Sequence, residues 1–308
     1  MVTHWDEVEG VITDVGELRG TWRRLGRAAG TIGIGANRID LPPGGRSTPV
    51  HTHTAEEELF YVLGGSGLSW QGGHTYRVGS GDCLLHAPRG PAHALIAGGD
   101  GLQVLGFGQR ARTETGPLPR AGVTWIGGSW AQLGIGEHPW DREAAAGPLE
   151  VPDPEPDRPR TIVNLEQVDP YDFGRGDVGA LRRDLGRAVG SQPTGLKHAT
   201  VRPGMLSSLP HCHSSEEEVF IVLEGSGTLL LDGEEHPMSP GSVVARPPGT
   251  GVAHAFRAGD DGLAMLCYGT REPGDIRYYP RSRILAIPGL GASFRVEQVD
   301  VWDREAYG

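Results

Sequence analysis

The residues with the strongest chemical character are His51-Thr52-His53, followed by Glu56-Glu57-Glu58, and His211-Cys212-His213, followed by Glu216-Glu217-Glu218. Each run leads into an apolar β-rich segment, Leu59-Phe60-Tyr61-Val62-Leu63 or Val219-Phe220-Ile221-Val222-Leu223. Positions i and i+2 of a strand share a face, so each histidine pair aims two imidazoles at one point. Two imidazoles converging beside a carboxylate form a donor set for a divalent metal.

The elements that must position these groups are written twice. A constant offset of 160 residues superimposes Leu25-Gly26-Arg27-Ala28-Ala29-Gly30 on Leu185-Gly186-Arg187-Ala188-Val189-Gly190, and His51, His53 and Glu58 on His211, His213 and Glu218. After a one-residue insertion the offset is 161, which pairs His93 with His254. Trp140-Asp141-Arg142-Glu143-Ala144 recurs as Trp302-Asp303-Arg304-Glu305-Ala306, giving each copy a terminal segment. The expected organisation is an N-terminal module over residues 1–146, a proline-rich acidic linker over 147–160 and a C-terminal module over 161–308.

Within a module, short β-branched and aromatic runs alternate with Gly- and Pro-containing turns such as Gly64 to Gly67 and Pro247-Pro248-Gly249. That rhythm predicts an all-β fold of two tandem antiparallel β-barrels. The segments from Gly20 to Ala29 and from Val178 to Val189 are the best helix candidates, expected to lie outside the barrels.

A net charge of −11 argues against nucleic acid, whose phosphates require a basic surface, and favours a small-molecule substrate. No apolar run approaches the roughly 18 residues of a membrane span. The first residues lack a basic segment followed by an apolar one, and three scattered cysteines suit reduced thiols, so a cytoplasmic location is expected.

These residues resemble the cupin superfamily. Its first motif, Gly-x5-His-x-His-x3–4-Glu-x6-Gly, is met by Gly45, His51, His53, Glu58 and Gly65 and nearly met by Gly204, His211, His213, Glu218 and Gly225. Its second motif is approached by Gly81, Pro88, Gly90 and His93, and by Gly241, Pro248, Gly251 and His254, with Ala97 and Ala258 in place of its final Asn. The resemblance covers both modules and implies a bicupin of double-stranded β-helix (jelly-roll) barrels. It implies metal ligands His51, His53, Glu58 and His93 at one site and His211, His213, Glu218 and His254 at the other.

Three neutral imidazoles and one carboxylate leave one or two positions open on a five- or six-coordinate ion, so up to one Fe, Mn, Ni, Cu, Co or Zn per module is expected. The spacing also permits Glu57 or Glu217 as the acidic ligand. Glu58 directly precedes its strand and, facing inward, shares a face with Phe60 and Val62, so Glu58 and Glu218 are preferred. Glu56, Glu57, Glu216 and Glu217 are then expected as solvated turn carboxylates.

His86 and its counterpart Arg246 lie on the strand leading to the third histidine and are candidate catalytic residues, to orient a substrate or exchange protons. Lys197, the sole lysine of the chain, matches Asn37 on a strand whose alternate residues look core-facing; it could hold an anion or extend to solvent.

What the resemblance implies is a metal-dependent enzyme on a small polar metabolite, first of the dioxygenase type, second a redox-neutral isomerase, decarboxylase or lyase. A non-catalytic ligand-binding bicupin is the rival from another class. Oxalate is disfavoured as substrate, because bacterial oxalate decarboxylases carry an arginine three positions before the first histidine, where this chain has Thr48 and Ser208. Edge-strand pairing allows a homodimer or a monomer whose barrels pair internally.

Overall fold

The computed structural model describes residues 1–126, 129–132, 137–300 and Trp302. The second terminal repeat, 302–306, lies outside them apart from Trp302. Among the described residues, no helix is long and apolar enough to cross a membrane.

Each module is an antiparallel sheet rolled into a barrel. In the N-terminal one, strand Glu58–Gln71 pairs with Asp82–His86, His74–Gly79 and His93–Gln109, and the sheet continues through Ile34–Leu41, Leu18–Arg23 and Gly10–Val15. The C-terminal one repeats the order with Glu218–Leu231, Ser242–Arg246, Glu234–Met238, His254–Thr270, Thr194–Val201, Val178–Asp184 and Tyr171–Arg175. The two long central strands are continuous where a turn was expected at Gly64 to Gly67. They pass the barrel corner through register shifts at Val62/Gly64 and Gly65/Gly67 in one and at Val222/Glu224 and Gly225/Gly227 in the other. Gly65 (φ 78°) and Gly225 (φ 76°) make this bend, and any Cβ there would strike the carbonyl of Gly101 or Gly262.

The helix expectation holds over only five residues in each module, Leu25–Ala29 and Leu185–Val189. Leu18–Arg23 and Val178–Asp184 are strands instead, because pairing with the next strand satisfies their backbone groups. The short helices lie in a core shared by both modules, where Leu25, Ala29, Leu185 and Val189 are buried with Leu59, Tyr61, Val219 and Ile221. Phe107 of one barrel packs on Tyr268 of the other with ring centroids 5.0 Å apart.

The modules also exchange strands. Val2–His4 adds to the edge of Ser242–Arg246 in the C-terminal sheet, and Ile162–Asn164 adds to Asp82–His86 in the N-terminal one. Both edges are thereby covered within one chain.

The expectation of solvated carboxylates fails at Glu57 and Glu217, each only 3% exposed. Neighbouring strand positions face opposite ways. As Glu58 and Glu218 point into their barrels, Glu57 and Glu217 point at the partner module. Glu57 accepts hydrogen bonds from the hydroxyls of Ser191 and Thr194 (both 2.5 Å) and the Thr194 amide (3.2 Å). Glu217 accepts from the amides of Ile32, Gly33 and Ile34 at 2.6, 2.6 and 3.1 Å. Glu56 is half-buried and accepts from the Ala111 amide, and Glu216 meets Arg277 at 3.3 Å.

Candidate metal centres

The ladder fixes the first and third histidines of each set. His51 and His93 exchange backbone hydrogen bonds (3.3 and 2.8 Å), as do His211 and His254 (3.2 and 2.9 Å). Glu58 begins the central strand, opposite Gly108 and His86, and Glu218 begins its equivalent, opposite Gly269 and Arg246. In the N-terminal barrel the ligand atoms of His51, His53, Glu58 and His93 all lie within 4.8 Å of one another. Glu58 Oε2 is 3.9, 3.7 and 3.3 Å from the Nε2 atoms of His51, His53 and His93.

In the C-terminal barrel His211, Glu218 and His254 meet the same criterion. His213 stands slightly apart, but its Nε2 is 3.4 Å from Glu218 Oε2, against 3.1 Å for His254.

The outer ring nitrogens show which tautomer is present. His51 Nδ1 lies 3.0 Å from the Pro49 carbonyl, His93 Nδ1 3.3 Å from that of Pro91, and His211 Nδ1 2.8 Å from that of Leu209. A carbonyl only accepts, so Nδ1 carries the proton and the Nε2 lone pair points to the centre. His53 Nδ1 meets Glu114 at 3.2 Å, and His213 Nδ1 meets Asp275 at 2.7 Å. On the inner side, Nε2 of His53, His213 and His254 and Oε2 of Glu218 are buried without a well-formed hydrogen bond. Inward Nε2 atoms gathered on one carboxylate, with the far side anchored on every ring but His254, whose Nδ1 has no partner among the described residues, fit a divalent transition metal in each barrel.

The electrostatics agree. Burial, reinforced by His93, lowers the His51 pKa to about 3, and burial with His254 lowers that of His211 to about 4, so both rings are neutral at ordinary pH. Burial also opposes the proton on His53, but Glu58 and Glu114 outweigh it and raise the pKa to about 9. Glu58 and Glu218 are half-buried, which opposes their charge, yet the surrounding imidazoles hold both well below the usual carboxylate range.

Glu114 and Asp275 escaped the sequence reading. Glu114 also accepts from the amides of Thr54, Ala55 and Glu56, and Asp275 from those of Ser215 and Glu216, so each carboxylate clamps the turn that carries the second histidine. The signal was present, since the two acids stand 161 residues apart, the offset that pairs His93 with His254.

His86 stacks flat on His93, with ring centroids 3.8 Å apart and planes 2° from parallel. Burial pushes its pKa well below the ordinary imidazole value. Arg246 donates to the Val252 carbonyl (2.7 Å) and approaches the Thr250 hydroxyl (3.4 Å), holding the loop before His254. Cys212, between two candidate ligands, is buried with its Sγ turned to the Tyr278 carbonyl.

The C-terminal site opens into a cavity of about 570 Å³, lined by His211, His213, Glu218 and His254 and also by Arg182, Lys197 and Tyr279. The Tyr279 ring stacks on His211 at 5.5 Å.

A model of the cupin domain matches the chain twice, over residues 37–105 and 197–268. No curated protein matches it. Among solved structures, oxalate decarboxylase from Bacillus subtilis at pH 4.6 is 17% identical, with a TM-score of 0.57 over 87% of this chain and 75% of that one. A second structure of that enzyme, described for its Mn(II) centres, is also 17% identical, with a TM-score of 0.58 over 89% and 78% of the two chains. At this identity the likeness shows the fold.

Proposed function

The chain belongs to the cupin superfamily and carries the domain twice, and on that premise we propose that it is a metal-dependent enzyme acting on a small polar metabolite. The observation that supports this most is the set of six histidines, five with Nδ1 anchored outward, whose Nε2 atoms face an inward carboxylate. His51, His53, Glu58 and His93 would hold one ion, and His211, His213, Glu218 and His254 a second. A metal held by four protein ligands supplies Lewis acidity and, for a redox-active ion, a place for dioxygen.

The protein's own groups do the rest. Glu114 and Asp275 keep the second histidine oriented, and His86 fixes the His93 ring by stacking. Arg246 holds the 249–252 loop beside His254. Tyr279, against His211, presents a phenol to the cavity. The four-ligand set with open positions favours the dioxygenase type of oxidoreductase.

The second reading, a redox-neutral decarboxylase or lyase, draws support from the oxalate decarboxylase fold neighbours. Oxalate itself remains disfavoured. Thr48 stands where those enzymes carry arginine, and its hydroxyl lies 3.3 Å from His51 Nδ1, while Ser208 lines the C-terminal cavity. Dioxygen uptake by metal-loaded protein with candidate hydroxy-, keto- and dicarboxylates tests the order. Uptake coupled to substrate loss supports the first reading; turnover unchanged under anaerobic conditions would replace it with the second.

A further inference from the structure

The two metal sites sit in barrels of different charge. Lys197 lies on strand Thr194–Val201, sharing a face with Ala199 and Val201, which are buried inside the C-terminal barrel. It pairs in register with Cys267 and lines the cavity that contains His211, His213, Glu218 and His254. It is half-buried, and among the described residues its ammonium has neither an ion pair nor a hydrogen bond.

Other cations in this wall are already committed. Arg187 and Arg271 face Asp184 at 3.4 and 3.6 Å, and Arg277 faces Glu216 at 3.3 Å. Arg182 is intermediate: it donates to the Ser207 carbonyl at 2.7 Å and stacks on Phe173 at 3.6 Å, while its Nε is buried without an acceptor. The N-terminal barrel has Asn37 in place of Lys197 and Trp22 in place of Arg182, at the offset of 160.

A half-buried ammonium lining the cavity of the candidate metal site, with no carboxylate paired to it, offers a seat for an anion from outside the chain. We propose that Lys197, assisted by Arg182, seats a carboxylate of the substrate, and that the C-terminal barrel is therefore the one that receives it. The substrate class is a small carboxylate metabolite with a second oxygen function, so that one end meets Lys197 and the other faces the four-ligand site. The N-terminal barrel, with a neutral amide and an indole at these places, holds no such anion. This deepens the metal-dependent reading of the same site and rests on it for the role of the second oxygen.

The chain's single lysine makes the test direct. Reductive methylation followed by peptide mass spectrometry reads Lys197 alone, separately from the N-terminal amine. Malonate, the probe, is expected to slow methylation of Lys197 in the full chain. By calorimetry, Lys197→Met should weaken malonate binding at least about tenfold and Lys197→Arg only a few-fold, while Asn37→Ala leaves it unchanged.

Unprotected Lys197, or equal malonate affinity in Lys197→Met, would overturn the proposal. Protection by inorganic phosphate but not by malonate would overturn the carboxylate assignment. Should Lys197→Met fail to fold, protection in the unmodified sequence decides. Elemental analysis of the same samples separates the two readings. Metal present without Lys197 protection sinks the anion site alone, whereas protection without metal sinks the metal-dependent enzyme and leaves the anion site standing.

Discussion

Asp275 accepts a hydrogen bond from His213 Nδ1 at 2.7 Å, and the same carboxylate accepts from the amides of Ser215 and Glu216. One buried acid thus sets both the ring and the turn that delivers it, as Glu114 does for His53 in the other barrel. Asp275→Asn keeps the size and removes the charge, so the fold is expected to survive. Metal affinity at the C-terminal site should fall about 10- to 100-fold, and Glu114→Gln should do the same at the N-terminal site. Competition with a chelator of known affinity measures both.

The buried proton on His53 predicts how metal binding depends on pH. With a pKa raised to about 9, His53 is protonated at pH 7 in the metal-free protein, while His51, lowered to about 3, is already neutral. Binding through His53 Nε2 must expel that proton. Affinity at this site should rise about tenfold per pH unit between 7 and 9 and level off above. Calorimetry in buffers of different ionisation enthalpy should find close to one proton released per ion at pH 7, and a pH-independent affinity would contradict this.

Glu57 and Glu217 bind the modules to each other, and they are the acids a sequence reading places in solvent. Glu57→Ala would leave the Ser191 and Thr194 hydroxyls and the Thr194 amide buried without their acceptor. A loss of about 3 kcal/mol is expected in urea unfolding. Exposed Glu155, which meets His74 at 2.8 Å, should change stability by less than about 1 kcal/mol when replaced by alanine.

That contrast marks what a sequence makes legible. The candidate ligands at positions 51, 53 and 58 and their repeats were readable from spacing and strand alternation, and those at 93 and 254 from the repeat and the cupin resemblance. The destination of Glu57 was not, because alternation says only that it points away from Glu58; the opposite face meets another module here rather than water. Glu114 and Asp275 lie far along the chain from the histidines they orient, so nothing local announced them. His86 and Arg246 were placed on the right strand, yet whether each meets a candidate ligand or a loop depends on the bend of the sheet.

The two barrels should not contribute equally. With Lys197 and Arg182 facing one cavity and Asn37 and Trp22 at the matching places in the other barrel, His211→Ala is expected to abolish turnover. His51→Ala should reduce it less than about tenfold. Steady-state kinetics of the two variants, each checked for folding by circular dichroism, would contradict this division if both lost activity equally.

The central claim is that both barrels hold a metal through three imidazoles and one carboxylate. Anomalous diffraction at the absorption edges of Mn, Fe, Co, Ni, Cu and Zn, from crystals grown without chelator, tests it most directly. The expected result is one peak among His51, His53, Glu58 and His93 and another among His211, His213, Glu218 and His254. Maps without a peak at either site, matched by less than one equivalent of metal per chain in solution, would contradict it.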